Sequence, residues 1–176
     1  MVALSGYMIV FRIVHILAGV VWVGGVTVLV LYIQPSAKSL GPAGGPFVME
    51  LLDRRKLPIF LLGAGAVTIV GGGFLYWRDW HAAGSLSDWL NLRFGATLTI
   101  GAVAALAAWL IGLLGVKPTV ERMLGLAKQL AAAGGPPPPE RAAELQALQL
   151  RSRRLAIVVL VLVVIGALAM SIARYV

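Results

Sequence analysis

One face of the first apolar segment carries residue types that can bind a metal or a charged group. Arg12, His15, Gly19 and Trp22 are spaced by three, four and three residues, so an α-helix would place them on one side. Imidazole is a common metal ligand, and arginine binds carboxylates through charge-assisted hydrogen bonds. Because ionisable side chains are costly inside a bilayer, the default hypothesis for this face is a functional site.

The last apolar segment carries a matching face. Gly166, Met170 and Arg174 are spaced by four and four residues. The first segment would run inward and the last outward, so both faces show an arginine, a candidate ligand and a glycine in the same order of depth. That order suits a b-type haem standing on edge, with His15 and Met170 as axial ligands, because His/Met ligation occurs in cytochromes.

The other members of the two faces would serve the edges of the ring. Arg12 and Arg174 would bind the propionates, whose carboxylates match the guanidinium fork. Gly19 and Gly166 would leave room for the flat macrocycle. A loop histidine, His81, is a second candidate for the sixth position, although it lies nearer the surface than His15.

Two other interpretations of these residues stay open. Copper is the alternative metal, because histidine and methionine suit Cu(I). The other is a purely structural membrane subunit, in which His15 hydrogen-bonds a neighbouring helix, Met170 fills the core and both arginines reach the interface. The sequence contains no G-x-S-x-G, H-E-x-x-H or phosphate-loop motif, so no catalytic motif supports an enzyme.

Four apolar runs must position these residues. The chain has 176 residues, of which 60% are hydrophobic and 12% are charged, whereas soluble domains carry about a quarter charged residues. Each run reaches the roughly 20 residues that a transmembrane helix needs. We predict an all-α membrane domain, an antiparallel bundle with spans at residues 7–33, 57–77, 94–116 and 155–174.

The connections also carry structural signals. Residues 117–154 contain two helical periodicities separated by GGPPPP, which predicts a hairpin that extends the last two spans. FVMELLDRRK predicts a short interfacial helix before the second span. The tryptophans of RDWHAAGSLSDWLNLR are typical of an aromatic belt at the membrane interface.

The basic residues that produce the net charge of +8 are concentrated in two of the three loops. Eleven of the fifteen basic residues fall in the first and third loops, and only Arg78 and Arg93 flank the second. The positive-inside rule therefore predicts that the first and third loops are cytoplasmic and that both termini are outside. The excess of basic residues is therefore explained by the orientation of the chain in the membrane and by contact with anionic lipid. It does not indicate nucleic-acid binding.

The first span resembles a bacterial membrane superfamily. The segment RIVHILAGVVWVGGV is similar to the first helix of CopD copper-resistance proteins, HemJ-type protoporphyrinogen oxidases and several four-helix relatives, and LLDRRKLPIFLLGAGAVTIVGGGFLYW resembles their second helix. The segment AMSIARYV is similar to the chain end of the four-helix relatives. The resemblance implies a haem or metal role for His15 and a role for a basic residue among Arg54, Arg55 and Lys56. Unlike the HemJ pattern, the third span has no histidine, which argues against porphyrinogen oxidation.

The expected function is that of a haem b-binding electron-transfer or accessory subunit in the bacterial cytoplasmic membrane. Its expected partners are the lipid bilayer, other membrane subunits or further copies of the chain, and quinone. Copper uptake of the CopD type and a purely structural role are the alternatives.

Overall fold

Helices account for nearly all of the described chain. The computed structural model describes residues 6–176, apart from the side chain of Pro42, and that range contains no strand. Four helices are long and apolar enough to cross a membrane: α1 (Gly6–Ser39), α2 (Leu57–Ala83), α3 (Arg93–Ala133) and α4 (Pro139–Tyr175). The predicted all-α fold with four candidate spans is confirmed, and the apolar helices indicate a membrane protein.

Two of these helices run through wider, π-helical turns. The turns are Leu29–Ile33 in α1 and Gly112–Val116 in α3, and each is followed two residues later by a proline, Pro35 or Pro118. A proline ring clashes with the carbonyl four residues earlier in a regular α-helix, and the wider turn relieves that clash. The helices therefore continue past the predicted span ends at residues 33 and 116.

The segment before α2 is helical, as predicted for FVMELLDRRK. It comprises an α-helix at Gly44–Met49 and a π-helical turn at Glu50–Arg54. The helical course is then interrupted at Lys56, whose φ of 52° is left-handed. This break allows α2 to begin in a new direction at Leu57, with Pro58 in its first turn, where a missing backbone N–H costs little.

The helices pack as two pairs, α1 along α2 and the apolar part of α3 along α4. A core cluster joins the pairs and includes Trp22, Val26, Ala108, Val159 and Val163. Small residues let helices approach closely in lipid, where association depends on packing rather than on the hydrophobic effect.

The predicted hairpin of residues 117–154 projects from one end of the bundle, here called the hairpin end. α3 continues to Ala133 and α4 begins at Pro139, so neither helix is interrupted between span and hairpin. Met123, Leu126 and Leu148 form a second core cluster, which shows that the apolar faces of the two hairpin helices pack on each other.

The connection between α2 and α3 buries one of the tryptophans predicted for the interface belt. It contains a short helix, Leu86–Asn91, and its Trp89 is only 2% exposed. The indole is enclosed by edge contacts with Tyr76 and Phe94, and a side chain on Gly95 would overlap it. Trp89 therefore belongs to the packing of α2 against α3.

Candidate functional site

The imidazole of His15 lies between α1 and α2. Its Nδ1 is 2.7 Å from the backbone carbonyl oxygen of Thr68. A carbonyl oxygen can only accept, so Nδ1 carries the proton and donates it, and Nε2 of the neutral ring keeps its lone pair. No hydrogen-bond partner of Nε2 is found among residues 6–176. Metal-ligating histidines are commonly held in this tautomer by a carbonyl or carboxylate.

A run of glycines in α2 makes room for this imidazole. A Cβ added to Gly72 would lie 2.7 Å from Cε1 and 2.9 Å from Nδ1 of His15, and one added to Gly71 would lie 3.3 Å from His15 Cβ. Gly73, by contrast, has nothing within 4 Å of an added Cβ. The ring therefore reaches Thr68 only because residue 72 has no side chain.

Gly19 and Trp22 of the predicted α1 face also contact α2. A Cβ added to Gly19 would lie 3.6 Å from Thr68 Cγ2, and one added to Gly65 would lie 2.8 Å from Trp22 Cε2. The hydroxyl of Thr68 donates to the carbonyl oxygen of Ala64 at 2.8 Å. This face is the packing surface between α1 and α2, and helix packing accounts for Gly19.

The predicted α4 face contacts α3 instead. A Cβ added to Gly101 would lie 3.1 Å from Met170 Cγ, and one added to Gly166 would lie 3.3 Å from the Gly101 carbonyl oxygen. The space beside Gly166 is thus occupied by the α3 backbone. The structure assigns His15 and Met170 to different helix pairs, and these contacts give no support to a ring lying beside both Gly19 and Gly166.

The two arginines of the predicted faces are exposed. Neither Arg12 nor Arg174 has a carboxylate partner within 4.0 Å among residues 6–176. An unpaired guanidinium near the end of a span can bind an anionic group such as a propionate or a lipid phosphate. Each arginine therefore carries an unpaired positive charge, which binding of a haem propionate would require.

His81 lies at a different depth from His15. It is exposed, its Nδ1 is 3.0 Å from the Trp77 carbonyl oxygen, and its ring packs against the indoles of Trp77 and Trp80. It follows Gly72 by nine residues, which is about 13 Å along the axis of α2. His15 and His81 therefore occupy separate positions along the membrane normal.

The described residues contain no group of three or more His, Cys, Asp or Glu side chains placed to hold a metal ion. No family model, curated protein or solved structure matches the chain. The candidate site is therefore defined by its own chemistry, the oriented imidazole of His15 with one free nitrogen; within the described residues, two unpaired arginines lie near span ends, Arg12 on α1 and Arg174 on α4.

Sequence reasoning missed the partner of His15. A backbone carbonyl has no residue type of its own, so Thr68 could not be found as an acceptor from the sequence. The available signal was the run Gly71–Gly73, which lies at the depth of His15 once α1 and α2 are taken as antiparallel neighbours.

Proposed function

We propose that this chain is a haem b-binding integral membrane protein in which Nε2 of His15 would bind the iron. The observation that carries the proposal is the 2.7 Å contact between Nδ1 and the Thr68 carbonyl oxygen. It fixes the tautomer and the ring orientation, and it leaves Nε2 free within an apolar helix. When bound, the haem iron would supply one-electron redox chemistry, while the chain would hold and orient the group.

Composition and charge support the same class of cofactor. The sequence has no cysteine, which rules out thioether attachment of a c-type haem and leaves non-covalent binding. Arg12 and Arg174 would bind the propionates, since both are exposed and unpaired among the described residues. The resemblance of the first span to the CopD and HemJ-type superfamily points in the same direction.

The proposed role is electron transfer, or support of a larger redox assembly, in the bacterial cytoplasmic membrane. The hairpin is the main part of the chain outside the apolar spans, so other membrane subunits, further copies or quinone would supply the reaction partners. The basic first and third loops favour a cytoplasmic hairpin and external termini.

A reduced-minus-oxidised absorption spectrum of the detergent-purified protein tests this function. We expect a Soret band in the wild type and in His81→Ala, which is the control for loss of a histidine. His15→Ala should lose the band, and added imidazole should restore it in His15→Gly by filling the vacated ligand position.

Metal analysis of the same samples separates the alternatives. If the protein contained stoichiometric copper and showed no Soret band, the haem proposal would be wrong and His15 would belong to a copper site. A protein that neither contains nor takes up either group would give His15 a purely structural role, which the hydrogen bond to Thr68 already describes.

A further inference from the structure

The basic residues at the hairpin end fall into two groups. One group pairs with carboxylates within 4.0 Å: Arg54 and Arg55 with Glu50, Lys56 and Lys128 with Asp53, Lys117 with Glu121, and Arg122 and Arg141 with Glu144. Within the described part of the chain, the second group has no such partner and consists of Lys38, Arg151, Arg153 and Arg154. Three of these four residues lie together in α4.

Two members of the second group line one groove. The groove has a volume of 490 Å³ and is open to the surroundings, and its lining consists of Ala147, Leu150, Arg151, Arg154 and Leu155. Arg151 and Arg154 are one helical turn apart, so both guanidinium groups can reach the same ligand. No carboxylate lines the groove, so its two positive charges are not neutralised by the protein.

The groove lies where α4 enters its apolar span. Leu155 begins the apolar run and packs on α3, because a Cβ added to Gly115 would lie 3.3 Å from Leu155 Cδ1. Leu150 is 51% exposed, and the next turns of the span present Ile157 and Val158 on the surface. The groove thus joins a cationic rim to the apolar surface that faces lipid.

We propose that this groove binds an anionic phospholipid, with its phosphate held by Arg151 and Arg154. The planar guanidinium fork binds phosphate oxygens bidentately, which an ammonium group cannot do. The glycerol and the first carbons of the acyl chains would lie on Leu150 and Leu155. A lipid satisfies both halves of the groove, whereas a free phosphate satisfies only the charged half.

Native mass spectrometry of the whole protein in detergent tests the site by titration with phosphatidylglycerol. We expect one tightly bound lipid per chain, and we expect phosphatidylcholine not to compete for it. The test variant is Arg151→Gln with Arg154→Gln, and the matched control is Lys38→Gln with Arg153→Gln. The control loses the same charge at the same end of the bundle and leaves the groove intact.

The control should bind phosphatidylglycerol like the wild type. The test variant should bind at least about 10-fold more weakly, since a charge-assisted hydrogen bond to the phosphate is worth about a factor of ten or more. Equal weakening in both double variants would overturn the proposal in favour of diffuse surface charge. Displacement of the lipid by an equal concentration of glycerol phosphate would also overturn it, because the site would then recognise phosphate alone.

Discussion

His15 is held against α2 by one nitrogen of its ring, and the other nitrogen has no partner among the described residues. His15 is half-buried, and the hydrogen bond to the Thr68 carbonyl offsets the desolvation cost of Nδ1. The same bond leaves Nε2 in the state that a metal requires. Structural and ligand roles of this residue are therefore compatible, and the variants that separate them must move the ring without removing it.

Gly72→Ala moves the ring in this way. Its new Cβ would lie 2.7 Å from His15 Cε1, so the imidazole must shift from its present position against Thr68. We expect the free energy of unfolding in detergent to fall by about 1–3 kcal/mol, and the proposed Soret band to weaken although His15 is intact. Gly73→Ala is the matched control, because its Cβ would meet nothing within 4 Å. Equal effects of the two variants would contradict the role assigned to Gly72.

The sequence predicts Met170 as a second haem ligand, whereas the structure packs it on Gly101, and its variants decide between the two roles. If it ligates, Met170→Leu should open a coordination site that binds carbon monoxide, and Met170→His should lower the midpoint potential because imidazole is the more basic ligand. An unchanged spectrum and potential in Met170→Leu would make Met170 a packing residue. Arg174→Gln should lower haem retention and leave the axial ligands as they are.

At the level of helices, one ion pair attaches the hairpin to the segment before α2 and another joins the two hairpin helices. Lys128 Nζ is 2.7 Å from Asp53 Oδ2, and this hydrogen bond holds the pKa of Asp53 below its ordinary value despite partial desolvation. The hydrogen bond from Arg122 lowers the pKa of Glu144 in the same way. Both carboxylates lie outside the apolar spans.

These ion pairs predict that the hairpin loosens in acid. A lowered folded-state pKa contributes stability above the ordinary pKa, and that stability is lost as the pH falls through the lowered value. The protection of residues 117–154 against hydrogen exchange, corrected for the pH dependence of intrinsic amide exchange, should therefore fall below the ordinary range of carboxyl pKa values and stay constant around neutrality. In Asp53→Asn, the part of the acid-induced loosening that comes from losing the Lys128–Asp53 ion pair should be absent. A response unchanged by that substitution would assign the loosening to other carboxylates.

The helices were easier to predict from the sequence than their ends. Apolar length identified all four spans, since a run of this length has few other structures in lipid. The apolar runs end at residues 33 and 116; α3 continues into the hairpin as predicted, but α1 also continues, to Ser39, through the π-helical turn before Pro35. Such a turn depends on backbone geometry and has no residue signature. The sequence also could not show which helices pack together, because a glycine-rich helix face can pack against any neighbouring helix.

At the level of the whole molecule, the separation of charge along the bundle predicts its orientation. Ser85 lies after α2 and Ser152 precedes the apolar part of α4, so they lie at opposite ends. In intact cells, an impermeant thiol reagent should label Ser85→Cys and should label Ser152→Cys only after the membrane is permeabilised. The chain has no native cysteine to interfere. Labelling of Ser152→Cys in sealed cells would reverse the predicted topology.

The unbroken course of α3 has a mechanical consequence. Its 41 residues form one rod, of which Lys117–Ala133 extend about 25 Å past the apolar part. Transmembrane helices change their tilt to match bilayer thickness, and a change of about 10° would displace the far tip of this lever arm by about 4 Å. The end of α3 near Ala133 would thus move sideways when the membrane thickens or thins. The π-helical turn Gly112–Val116 lies near the pivot of this movement.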